Sequence, residues 1–196
     1  MNEKNKFTIE YKNKYFTIEK TINNMENGDP YYRINTNNSV ICCLLDLCGN
    51  LVYVKQFRPN LGYFTIEMPS GYIDDNELPG LAVSREIREE VGIEADFIYL
   101  GTYRVNMNRN TNKEFIYLAL QKNNIKYKNE PDIETVTIKR SELRKLIAEE
   151  SSFEHIVSYA IFQIVNIKLK IDLLNDSYTK IKEIFYNEIY ELQIKK

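Results

Sequence analysis

A chain of 196 residues, 43% of them hydrophobic, is long enough for one large domain, or one domain with an appendage, whose core needs no covalent staple. Its formal net charge of −2 offers no basic field for nucleic acid or an anionic membrane surface, and no stretch approaches the roughly 20 apolar residues of a membrane span. The N-terminal run MNEKNKFTIEYKNK lacks the apolar segment of a signal peptide, and Cys42, Cys43 and Cys48 fit no disulfide framework. Reduced core thiols of this kind point to a cytoplasmic setting.

In chain order, Phe7–Tyr11 and Tyr15–Lys20 are expected as short strands around the turn Lys12-Asn13-Lys14. The polar cluster 23–30 is expected as a turn, and Tyr31–Asn35 as a further strand. Val40–Leu47, the turn Cys48-Gly49-Asn50 and Leu51–Phe57 predict a β-hairpin of two buried strands. Phe64–Met68 is a short strand leading into Pro69-Ser70-Gly71. Beyond the central helix, Phe97–Val105, Glu114–Gln121 and Asp132–Lys139 are expected as strands, the first two joined by the polar loop 106–113. Ser141 is expected to cap a helix reaching about Glu149. Ser151-Ser152-Phe153-Glu154 has the pattern of a capping box, opening a helix with apolar positions 153, 156, 157, 160, 161, 164 and 165. After Asn175-Asp176-Ser177, a last helix carries Ile181, Ile184, Phe185, Ile189 and Leu192 on one side. The fold class is therefore α+β, a mixed sheet with helices on its faces. Residues 1–36 form an N-terminal β extension and 168–196 a C-terminal helical extension around a domain at 37–167.

The chemistry concentrates in Gly71–Ile93. Pro79 suits the first turn of a helix and Gly92 its C-terminal cap, so the helix is expected from about Leu78 to Val91. Glu86, Glu89 and Glu90 stand at i, i+3 and i+4 and share a face, beside an apolar stripe of Val83, Ile87 and Val91. Three close carboxylates repel, and a hard divalent cation such as Mg²⁺ or Mn²⁺ relieves that repulsion. Arg85 can pair with one of them. The alternative is a solvated acidic helix face with ordinary ion pairs.

These residues resemble the Nudix box, G-x5-E-x7-R-E-U-x-E-E-x-G-U, where U is a bulky aliphatic residue. Gly71, Glu77, Arg85, Glu86, Ile87, Glu89, Glu90, Gly92 and Ile93 fill every specified position. The resemblance implies a Nudix α/β/α sandwich and an enzyme that hydrolyses a nucleoside diphosphate linked to another moiety X, using Mg²⁺ or Mn²⁺. It implies that Glu86, Glu89 and Glu90 hold metal, joined by the Ser70 carbonyl, and that Glu77 and Arg85 orient loop and helix. The expected reaction is attack of water on phosphorus, which needs a base. A box glutamate or Glu130 is expected in that role, with Glu114 and Glu134 as competitors.

Flanking segments resemble the ADP-ribose and nucleotide-sugar pyrophosphatase branch: Leu51–Arg58 its strand ending in Q-[YF]-R, Glu67-Met68-Pro69-Ser70-Gly71 its E-x-P-A-G entry, and Asp132–Val136 with Ser141–Ile147 its strand-helix ending. Arg58 would reach a phosphate or the terminal ribose, and Asn108 and Arg109 a sugar or phosphate. The loop 106–112 lacks the proline usual in that branch, so other nucleotide sugars, dinucleoside polyphosphates or a coenzyme stand beside ADP-ribose. The N-terminal strands resemble the segment through which the branch forms homodimers. A non-catalytic ligand-sensing or RNA-associated Nudix module is the competing class.

Overall fold

The computed structural model describes residues 7–21, 29–148 and 155–194. Most of the turn expected at 23–30 and the whole capping-box pattern at 151–154 lie outside them. Strands β1 (Thr8–Lys12), β2 (Phe16–Thr21) and β3 (Tyr31–Thr36) form a three-stranded antiparallel sheet. A seven-stranded sheet holds β4 (Ser39–Leu45), β5 (Leu51–Arg58), β6 (Tyr63–Glu67), β7 (Ser70–Tyr72), β8 (Ala95–Tyr103), β9 (Glu114–Gln121) and β10 (Glu134–Ile138). Its order is β10-β5-β4-β9-β8, with β6 added to β5 and β7 to β4. The β4–β9 pair is parallel and its other pairs are antiparallel, so the sheet is mixed.

The apolar run at β4 reflects burial on both faces, as a central strand covered by two layers requires. Val40, Cys42 and Leu44 pack with Ala82, Val83, Ile87 and Tyr117, whereas Ile41, Cys43 and Leu45 pack with Tyr53, Leu118, Ile161, Val165, Ile181 and Phe185. The first group is covered by helix α1 (Pro79–Glu86), which continues into a π-helical turn at Ile87–Val91. The second is covered by α2 (Arg140–Ala148), α3 (Ile156–Leu169) and α4 (Tyr178–Ile194). Cys42 and Cys43 are core thiols, whereas Cys48 is exposed in the turn. Among the described residues no helix is long and apolar enough to cross a membrane.

Four local expectations change. The β4–β5 hairpin pairs only at its turn, through Leu44 with Val52 and Leu45 with Leu51. Beyond that the strands fork, because β7 takes the edge of β4 and β6 that of β5. The fork admits Glu67–Gly71 into the sheet and places it under the central helix. The helix has the expected ends, but its last turn is π. Ser141 lies inside α2, whose first amides at Glu142 and Leu143 donate to the Lys139 carbonyl. On α3 the buried set is Ser158, Ile161, Phe162, Val165 and Leu169, while Ile156 is 75% exposed. The run IVSYAIFQIV is apolar around most of the helix, so its periodicity selects no single face.

Arg140 joins the two ends of this architecture. Its Nε donates to the Gly49 carbonyl at 2.7 Å, and its Nη1 donates to the carbonyls of Leu173 at 2.9 Å and Asp176 at 2.7 Å. Arg140→Ala is expected to cost about 2–3 kcal/mol, because it strands carbonyls in two separate turns. Thermal melting should fall by roughly 5–10 °C. Arg140→Lys should recover little, because an ammonium lacks the planar fork. An unchanged melting temperature in Arg140→Ala would show that these bonds hold nothing.

Candidate active site

Strand β7 brings Ser70 and Gly71 beneath the central helix, and the loop 73–78 returns the chain to Pro79. Arg85 joins loop to helix. Its Nε donates to Glu77 Oε1 at 3.0 Å, and its Nη2 to Glu77 Oε2 and the Tyr72 carbonyl, each at 2.9 Å. Its Nη1 donates to Glu86 Oε1 at 2.7 Å and Glu89 Oε2 at 3.0 Å. Glu77 also accepts the Asp74 amide at 3.0 Å, and its pairing with Arg85 lowers its pKa. One guanidinium thus binds three carboxylates and a carbonyl in a planar fan.

The three box carboxylates differ in environment. Glu89 is half-exposed. Glu86 lies against the backbone of Gly71, where an added Cβ would stand 2.1 Å from Cδ of Glu86. Burial raises its pKa, as do the charges of Glu89 and Glu130, against the pull of Arg85. Glu90 is 5% exposed and accepts the Ser70 amide on Oε2 at 2.9 Å. Burial first, then the charges of Glu86 and Glu130, push it up to about 8, opposed by the Ser70 N–H and Arg58. A carboxyl that deep, anchored by one amide, holds a proton near neutrality.

Of the three carboxylates offered as a base, the fold brings only Glu130 to the box. Its amide donates to the Glu89 carbonyl at 2.8 Å, and its charge acts on Glu86 and Glu90. Glu134, on β10, pairs with Lys55 at 3.2 Å. Glu114 opens β9 on the face of Ile116 and Leu118, away from α1. Its buried Oε2 has no hydrogen-bond partner among the described residues, and burial raises its pKa.

Arg58 faces Glu90 electrostatically but pairs with Glu67, Nε to Oε1 at 2.7 Å and Nη2 to Oε2 at 2.5 Å. Thr65 Oγ1 adds a bond to Glu67 at 2.5 Å. His155, the single histidine, packs where the charges of Glu67 and Arg58 act on it, and burial lowers its pKa. Sequence reasoning passed over this Glu67–His155 juxtaposition, whose one signal was that the chain has a lone histidine. Asn108 and Arg109 lie elsewhere, against the N-terminal sheet. The Asn108 carbonyl accepts the Tyr31 hydroxyl, and the Arg109 guanidinium stacks 4.8 Å from the Tyr31 ring. Both line a cavity of about 420 Å³ with Arg33 and Arg104.

As they stand, no three acidic, His or Cys side chains among the described residues converge to cage an ion, since Arg85 engages both Glu86 and Glu89. The donor chemistry nevertheless fits a hard divalent cation: carboxylate oxygens, one of them buried and in need of a counter-charge, set against a glycine backbone.

The family model of the NUDIX domain matches residues 35–157. The chain belongs to the Nudix family. Mouse ADP-sugar pyrophosphatase is 44% identical over 46 residues, covering 24% of this chain and 21% of that protein. An uncharacterised Nudix hydrolase of Schizosaccharomyces pombe is 41% identical over 58 residues, covering 30% and 25%. The chain therefore aligns with about a fifth to a quarter of the length of these curated relatives. A solved structure of an ADP compounds hydrolase superposes with a TM-score of 0.66 at 21% identity, over 87% of this chain and 97% of that one. That likeness bears out the expected Nudix sandwich, a mixed sheet between helical layers.

Proposed function

We propose that this Nudix chain is a divalent-metal-dependent pyrophosphohydrolase cleaving a nucleoside diphosphate linked to X, with ADP-ribose or another ADP-sugar as the favoured substrate. One observation carries the reading: the buried Glu90 and the Gly71-backed Glu86 meet Glu130 at the fork between β4 and β5. The names of the mouse and solved-structure relatives support an ADP-linked substrate.

In this reading Glu86, Glu89 and Glu90, with the Ser70 carbonyl, hold Mg²⁺ or Mn²⁺. The ion when bound polarises phosphoryl oxygens and lowers the pKa of water. The buried Glu90 carboxyl would hold such an ion in its ionised form, its proton passing to solvent. Arg85 holds the loop of Glu77 to the helix and steers Glu86 and Glu89. Glu130 accepts the proton of the attacking water at its carboxylate. Arg58, already held by Glu67, presents positive charge toward Glu90 and fixes the β5–β6 edge. Asn108 and Arg109 lie where the N-terminal sheet meets the domain, suited to the distal part of a substrate. The exposed Ile9, Tyr11 and Tyr32 on that sheet, with Tyr15 in its first turn, suit a homodimer contact.

The test is incubation with Mg²⁺ or Mn²⁺ and a panel of nucleotide sugars and dinucleotides, following nucleoside monophosphate release. ADP-ribose should yield AMP, and chelation should stop the reaction. Absence of turnover for every compound, with metal demonstrably bound, would leave the chain a non-catalytic ligand-sensing module.

A further inference from the structure

We propose that the cavity between the N-terminal sheet and the loop 106–113 is an anion site that takes a phosphate monoester. It uses none of the box residues and does not depend on the pyrophosphohydrolase reading. The cavity has a volume of about 420 Å³, in the range of small-molecule sites. The guanidinium groups of Arg33, Arg104 and Arg109 line it, and no carboxylate does. The chain as a whole carries a net charge of −2, so this cavity is a local reversal of sign. Strand alternation puts Tyr31 and Arg33 on one face of β3, opposite Tyr32. The loop runs along the edge of β3, where the Ile34 amide donates to the Arg109 carbonyl at 2.7 Å and the Thr111 amide to the Ile34 carbonyl at 3.0 Å. Arg33 thus comes from the N-terminal sheet, whereas Arg104 and Arg109 come from the domain.

Among the described residues, each arginine is held and still has donors to offer. Arg33 gives Nε to Glu19 Oε2 at 2.6 Å, and its Cζ stands 3.6 Å from the Phe7 ring centroid. Arg109 stands 4.8 Å from the Tyr31 ring centroid, and its Nη1 reaches only the Tyr32 carbonyl, at 3.5 Å. Arg104 Nη1 donates to the carbonyls of Thr111 and Asn112. Glu19 is the one carboxylate paired with any of the three among the described residues, so two of the three positive charges are left over. Carbonyls and rings do not neutralise a guanidinium. A ring covers its face and leaves its in-plane N–H edge open to an acceptor. A phosphate monoester supplies what is missing: close to two negative charges at neutral pH and three strong acceptor oxygens. A carboxylate brings half the charge and fewer oxygens. Bound across Arg33 and Arg109, the anion ties the N-terminal sheet to the domain.

The first arm of the test titrates inorganic phosphate into the whole chain in chelator, against chloride at constant ionic strength, by calorimetry and thermal melting. Chelator removes the divalent ion through which the box would hold phosphate. Phosphate should bind and raise the melting temperature. Arg33→Gln and Arg104→Gln should each weaken that binding roughly 10-fold or more. Glu19→Gln, which frees Arg33, should tighten it about 3-fold, a direction that a merely structural Arg33–Glu19 pair would not produce. The second arm finds the source of the phosphate by comparing ADP-ribose with ADP-ribose bearing a 2′-phosphate on its adenosine. If the remote end of a substrate fills the site, Arg33→Gln lowers kcat/KM for the phosphorylated compound selectively, roughly 10-fold. If a free phosphate ester fills it, that ratio holds while phosphate binding in chelator still needs the arginines. No binding of phosphate over chloride, or binding that Arg33→Gln, Arg104→Gln and Glu19→Gln all leave unchanged, would overturn the site. Turnover of neither compound by the unmodified protein would sink the pyrophosphohydrolase reading alone, and the first arm would still decide the anion site.

Discussion

Glu90→Gln is expected to make the metal-free protein more stable and catalytically dead. The folded chain raises this carboxyl from the ordinary 4.5 to about 8, whereas the unfolded chain leaves it near 4.5. Between those values the unfolded state releases a proton that the folded state keeps, so stability falls as pH rises from about 5 to 8, then levels off. At pH 8 the penalty removed by a neutral amide is on the order of 2–3 kcal/mol, after allowing for the polar group that stays buried. Gln retains an acceptor for the Ser70 amide. Melting in chelator at pH 8 should therefore rise by roughly 5–10 °C, and the variant should lose most of the pH slope. Mg²⁺ or Mn²⁺ should stabilise the parent protein far more than the variant. Loss of a ligand should lower kcat/KM more than about 100-fold. A variant that melts no higher than its parent at pH 8 would mean that Glu90 is not a strained buried acid.

The two box glycines are expected to fail in different ways. Gly71 lies in β7 and is not among the positive-φ glycines, and the atoms in the way of a new Cβ are those of the Glu86 carboxylate, 2.1 Å off. That flexible group can move, so Gly71→Ala should change stability by less than about 1 kcal/mol. The displaced carboxylate should weaken metal binding and kcat/KM about 10- to 100-fold. Gly92 has φ +74° and caps the π turn, and a new Cβ would stand 2.4 Å from the backbone oxygen of Tyr127. Neither backbone can yield cheaply. Gly92→Ala should cost about 2–4 kcal/mol, visible in urea unfolding. If Gly71→Ala destabilises as much as Gly92→Ala, Gly71 is a packing residue and its link to Glu86 is incidental.

Local signals carried much of this fold. The two-sided burial of β4 was written in Val40–Leu45, β9 appeared with its observed ends, and Pro79 and Gly92 bounded the helix. What escaped depends on contacts far apart in the chain. The fork of β4 and β5 is caused by β6 and β7, which arrive later and capture the free edges. The Arg58–Glu67 pair exists because the β5–β6 register sets them on one face. Glu114, Glu130 and Glu134 look alike as sequence. Strand parity turns Glu114 away, cross-strand pairing gives Glu134 to Lys55, and one amide bond brings Glu130 in. The box itself is a local motif, and for that reason its spacing was readable.

The segment that follows β9 is strung from the end of the box helix at two points. The Tyr127 amide donates to the Gly92 carbonyl at 2.6 Å, and the Glu130 amide to that of Glu89 at 2.8 Å. The Tyr127 hydroxyl bonds Glu94 at 2.7 Å, and Arg88 lies 4.7 Å from its ring. Two anchors three residues apart tie the backbone of Glu130 to that of Glu89. It travels with Glu89 and Glu90 as one body, and its ordering entropy is settled during folding, not at each turnover. The backbone that carries Glu130 is thus positioned by the box helix itself, ahead of any substrate.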